Sequence, residues 1–67
     1  MKRRINRIKE ILVIQDRSQT WLAEKLGKTR VTVSNYCNNN QQPSLETLLA
    51  IAEILDVDVR ELLVGSK

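Results

Sequence analysis

From Ile5 onward the apolar residues fall at Ile8, Ile11 and Leu12, the spacing of one helix face, with Arg7, Lys9 and Glu10 on the other sides. The pattern dissolves at "QDRS", a short polar turn. Ser18 is then a good N-cap for a second helix carrying Leu22, Ala23 and Leu26, and Gly27 follows as its stop. Ser44, placed after Pro43, caps a fourth helix with a broad apolar face of Leu45, Leu48, Leu49, Ala52, Ile54 and Leu55. Asp58 and Glu61 resemble a capping box for a final short helix with Val59, Leu62 and Leu63 inward.

The segment between the second and fourth helices is ambiguous. "RVTVSNY" alternates valine and polar residues in a way that favours a strand. No other segment reads as a strand, however, and a lone strand has nothing to pair with. On a helix starting after a Thr29 cap, Arg30, Val31, Ser34, Asn35 and Asn38 share one arc, polar apart from a single valine. Thr32, Val33, Tyr36 and Cys37 occupy the largely apolar remainder. A third helix over about residues 29–38 is therefore expected. "NNNQQP" is a connecting loop, because asparagine tolerates left-handed backbone and competes for helical hydrogen bonds. The chain reads as all-α: five short helices in one compact domain over residues 1–67.

Composition narrows the chemistry. There is no histidine and a single cysteine, so neither a disulfide within the chain nor a zinc site is available. With carboxylates scattered at helix ends, no acid–base or nucleophile set can be assembled, and an enzyme is not expected. No metal or cofactor is expected either. One free thiol fits a reducing compartment, so a cytoplasmic location follows. The basic, then apolar, start invites a signal-peptide reading, but its longest apolar run is only Ile11 to Ile14 and no cleavage site follows. No segment approaches the length of a membrane span.

The net charge of +3 conceals a split. Residues 1–43 hold nine Lys/Arg against three Asp/Glu, and residues 44–67 hold two against five. The first part is suited to a polyanion and the second is not. From Lys25 to Gln42 there is no acidic residue at all. Two helices joined at a glycine turn, the second with a polar face, make a helix-turn-helix, whose second helix lies in the major groove of DNA while the first crosses the backbone.

Over nearly its whole length, "RIKEILVIQDRSQTWLAEKLGKTRVTVSNYCNNNQQPSLETLLAIAEILDVDVRELL" resembles the phage-repressor (Cro-like, XRE) helix-turn-helix family. The resemblance rests on "SQTWLAEKLGK", with its serine-glutamine opening and glycine turn, and on "PSLETLLAIAEILDVDVRELL" for the last two helices. It implies base reading by Arg30, Val31, Ser34 and Asn35, and backbone contacts from Gln19, Lys28, Thr29, Thr32, Asn38 and Asn40. Lys2, Arg3 and Arg4 form a basic arm expected to add phosphate contacts. Four positions depart from the family pattern. Leu12 and Cys37 stand where an arginine and a glutamate often pair, and changing both avoids stranding either charge. Asn39 and Asp56 stand where glycines are usual, and both types visit left-handed backbone.

Cys37 is expected to act as a small buried hydrophobe. Trp21, where the family often has glutamate, is a half-exposed packing residue or part of a partner surface. Tyr36 is placed at the core edge. The expected partner is double-stranded DNA carrying a palindromic operator, bound by a homodimer joined through Val59, Leu62, Leu63 and Val64, with no membrane involved. A phage-type repressor, an antitoxin and a restriction–modification controller all fit. The rival class is a helical protein-interaction module with little DNA specificity.

Overall fold

The computed structural model describes residues 4–64. Four α-helices follow one another: α1 (Ile8–Ile14), α2 (Gln19–Leu26), α3 (Arg30–Cys37) and α4 (Leu45–Leu55). A 3₁₀ turn, Val59–Leu62, stands where a fifth helix was expected. The Asp58/Glu61 capping box is present and starts the turn. It ends at once because Leu63 is extended (φ −110°, ψ 145°) and its residue pairs with Asn6 in an antiparallel bridge. Backbone committed to that bridge cannot continue a helix. Flanking bonds run from Arg7 N to Leu62 O (2.7 Å) and from Val64 N to Ile5 O (2.8 Å), so the two ends of the described chain lie side by side.

Local chemistry sets the helix starts. The side chains of Ser18, Thr29 and Ser44 accept from the amides of Trp21, Thr32 and Thr47, at 3.0, 3.2 and 3.2 Å. Each satisfies one of the amides that a helix start leaves without a partner. Left-handed residues end or interrupt the elements: Gly27 (φ 71°) after α2, Asn39 (φ 58°) after α3 and Asp56 (φ 57°) after α4. Asp16 (φ 58°) does the same in the polar turn after α1.

The core draws on every element. Ile8, Leu22, Val33, Ile51 and Leu62 are fully buried, joined by Leu12, Tyr36, Cys37, Leu48 and Leu55. Leu12 and Cys37 thus join one apolar cluster in place of an ion pair. Tyr36 lies within that core. The apolar face of α4 is narrower than its composition suggests. Leu45 and Leu49 remain 69% and 47% exposed, since Leu49 is turned about 100° from the buried Leu48. Leu63 is likewise exposed, because extended backbone turns it away from the interior that Leu62 fills. Among the described residues no helix is long and apolar enough to cross a membrane.

Candidate nucleic-acid interface

The turn between α2 and α3 is tight. Gly27 N and Lys28 N bond back to Glu24 O and Ala23 O, at 3.3 and 3.0 Å. Val33, Tyr36 and Cys37 anchor α3 in the core, which leaves Arg30 and Val31 exposed and Thr32, Ser34 and Asn35 half-buried. Arg30, Val31, Ser34 and Asn35 together line one open depression of about 320 Å³ on that outer side. The four residues read from the sequence as base contacts are therefore one surface. Val31 is an apolar group left 71% exposed. Among the described residues neither Lys28 nor Arg30 has a carboxylate partner, so both charges are available to an anion.

Several predicted contact residues are held by neighbours. The Thr29 and Thr32 hydroxyls bond each other at 2.9 Å, and Asn38 Nδ2 donates to Ser34 Oγ at 3.4 Å. Asn40 Nδ2 donates to Asn35 Oδ1 at 3.5 Å, and the Asn40 amide donates to the Asn35 carbonyl at 2.9 Å. Asn40 thus meets Asn35 at both its carbonyl and its side chain. Gln19 is the first residue of α2, half-buried at its N-terminal end. Lys2 and Arg3 lie outside the described residues. Arg4 is exposed and ion-paired with Glu10. With Arg7, Lys9, Asn38 and Asn39 it lines a cleft of about 270 Å³ at the C-terminal end of α3.

Trp21 packs partly against the core, as a half-exposed packing residue should. Its ring also carries the Arg17 guanidinium 4.5 Å from its centroid and the Lys25 ammonium at 6.0 Å. The Cys37 thiol is buried. Desolvation pushes its pKa up to about 11 against a smaller opposing pull from Lys9, so it stays protonated at neutral pH. Among the described residues no cluster of side chains could hold a metal ion.

The charge split is also spatial. A groove along α4 and the 3₁₀ turn carries Glu46, Glu53, Asp56, Asp58 and Glu61 around the exposed Leu49. Of the residues expected to join two copies, Val59 is half-buried while Leu63 and Val64 are exposed. Leu62 is corrected: it is fully buried within one copy and cannot reach another.

Sequence reading missed Asn6, buried, and its partners Asn39 and Gln42. Asn6 stands two residues before the first residue of α1, close to where asparagine is favoured at a helix start, and its Oδ1 accepts from Ile8 N at 3.2 Å. That local signal was readable. Nothing local announces its partners, which are 33 and 36 residues away.

The family profile for helix-turn-helix matches residues 8–62. No match is found among curated protein sequences. Among solved structures the chain is similar to a candidate DNA-binding protein from Bacteroides fragilis, with 47% identity and a TM-score of 0.88 over 90% of this chain and 97% of that one. It is also similar to the restriction–modification controller C.AhdI of Aeromonas hydrophila (31%, TM-score 0.76, covering 82% and 83%). A third likeness is SinR, the master regulator for biofilm formation from Bacillus subtilis, crystallised with DNA (34%, TM-score 0.72, covering 81% and 87%).

Proposed function

On the premise that this chain belongs to the helix-turn-helix family, we propose that it is a transcriptional regulator that binds double-stranded DNA in a sequence-specific way through α3. The observation that carries this reading is the gathering of Arg30, Val31, Ser34 and Asn35 on one outward face with no carboxylate in it. Arginine suits the two acceptors of guanine, asparagine the donor–acceptor edge of adenine, and an exposed valine the methyl of thymine. Gln19, Lys28, Thr29, Thr32, Asn38 and Asn40 flank that face and take the backbone, together with the arm of Lys2, Arg3 and Arg4. The similarity to SinR, solved with DNA, supports the same use of the fold.

One short reading helix gives little contact for high specificity. A homodimer on a palindromic operator doubles it, with two copies of α3 roughly 34–36 Å apart. The interface we place on Val59, Leu63 and Val64, extended to the exposed Leu45 and Leu49 of α4. The carboxylates around Leu49 have the wrong sign for phosphate and keep this side off the DNA. The chain acts as a single DNA-binding domain in the cytoplasm, without a cofactor.

Selection of bound sites from random duplexes, followed by salt titration on the selected site, tests this. A discrete motif and an affinity that falls steeply with salt are expected, since each neutralised phosphate releases counterions. An affinity indifferent to salt refutes it.

A further inference from the structure

Asn6 is the one buried polar residue among those described, and it touches three parts of the fold. Its Nδ2 donates to the Tyr36 carbonyl in the last turn of α3 and to Gln42 Oε1, both at 2.8 Å. Its Oδ1 meets the first amide of α1. Asn39 answers from the other side. Its Oδ1 accepts from the amides of Ile5 (2.8 Å) and Asn6 (2.9 Å) and from Gln42 Nε2 (3.2 Å), while its Nδ2 donates to Asn6 O (3.3 Å). The Ile5 carbonyl is taken by Val64 N, so the Ile5 residue is held at both its polar groups.

Backbone need alone does not explain an asparagine at residue 39. At φ 58° a glycine would sit without strain, and only the carboxamide makes the four bonds just described. Those bonds fix the point where Arg4 leaves the fold. Arg4, Arg7 and Lys9 share the cleft beside Asn38 with one carboxylate, Glu10, which pairs with both arginines. Lys9 has no carboxylate partner among the described residues.

We infer that Asn39 and Asn6 are positioning residues of the DNA interface: the Asn39 carboxamide grips the Ile5–Asn6 backbone, the Asn6 carboxamide grips the Tyr36 carbonyl, and Gln42 bonds both, so that Arg4 and Lys9 are held beside the C-terminal end of α3 and meet the same phosphodiester strand as Asn38. The inference rests on the DNA-binding reading above. It assigns the asparagine loop a purpose beyond connection.

A double-mutant cycle in salt titrations tests it, using one duplex selected by the parent protein and variants shown to be folded by circular dichroism. In the parent, Arg4→Ala weakens binding to all duplexes and flattens the plot of log K against log salt by about 1. In an Asn39→Gly background the same substitution leaves the slope nearly unchanged, because the Ile5 and Asn6 amides that carry Arg4 are no longer held. Asn39→Ala, which deletes the clamp but adds strain at positive φ, behaves like Asn39→Gly in the titration while melting lower. Equal loss of slope from Arg4→Ala in both backgrounds overturns the inference. So does an effect confined to Asn39→Ala, which would assign it to backbone strain. If the parent binds no duplex DNA, the DNA-binding reading falls as well; if the parent binds and the cycle is additive, this inference alone falls.

Discussion

Two valines two residues apart in α3 should respond to the same substitution in opposite ways. Val33 is fully buried and Val31 is 71% exposed. Truncating a valine to alanine removes two methyl groups, worth about 1.6 kcal/mol when fully buried, before any cavity left behind is counted. Alanine returns up to about 0.6 kcal/mol as the better helix former. For Val33→Ala the balance, with a cavity term, is a loss of about 1–2 kcal/mol, a large part of the stability of so small a domain. For Val31→Ala only about three-tenths of the transfer term applies, roughly 0.5 kcal/mol, and helix propensity cancels it. Urea unfolding followed by circular dichroism reads the stabilities, and site selection reads the DNA preference. Val33→Ala should unfold at lower urea while its residual folded protein selects the parent motif. Val31→Ala should unfold with the parent and lose preference at one thymine. A loss above about 1 kcal/mol for Val31→Ala would make Val31 a packing residue, and an unchanged motif would remove it from the reading face; either refutes the reasoning.

Arg30→Ala and Asn35→Ala should each cost about 1–3 kcal/mol on the selected site and little on random DNA, read by competition binding. The Cys37 thiol should resist alkylation at neutral pH in the folded protein and react readily once unfolded. Because burial raises its folded pKa to about 11 from 9.0, its contribution to stability is present below pH 9 and is lost as pH rises toward 11, which denaturation across that range would register. Leu49→Lys should leave the fold intact and dissociate the dimer in sedimentation, whereas Leu62→Ala should lower stability by about 2–5 kcal/mol through a core cavity.

The legible parts of this molecule were those decided by near neighbours. Ser18, Thr29 and Ser44 start their helices through a hydroxyl and an amide three residues on, and such pairs are visible in any sequence. The left-handed Asn39 and Asp56 were expected on another ground: they stand where the resembled family has glycines, and both residue types tolerate that backbone. The outer face of α3 emerged once the absence of a partner strand had made the segment a helix, because helical periodicity then separates Val33 from Arg30, Val31, Ser34 and Asn35. What escaped was decided at a distance. Asp58 and Glu61 announce the start of a helical turn, but the antiparallel partner that ends it is Asn6, near the other end of the chain. Leu45, Leu49 and Leu63 are apolar, and apolar identity does not say whether anything covers them. The side-chain partnership of Asn39 and Gln42 with Asn6 was not legible, because Asn6 lies more than thirty positions away.

The bond between Val64 N and Ile5 O joins residues at almost opposite ends of the described chain. During synthesis Ile5 emerges from the ribosome early and waits for Val64, while the contacts among α1, α2, α3 and α4 become available sooner. Local helical contacts form quickly, and closing the longest loop in the domain comes after them. The expected order is that the helices form before Ile5 is fastened to Val64. Hydrogen exchange should record the same order in reverse, with the amides of Ile5, Arg7 and Val64 opening as one unit ahead of Ile51 and Val33.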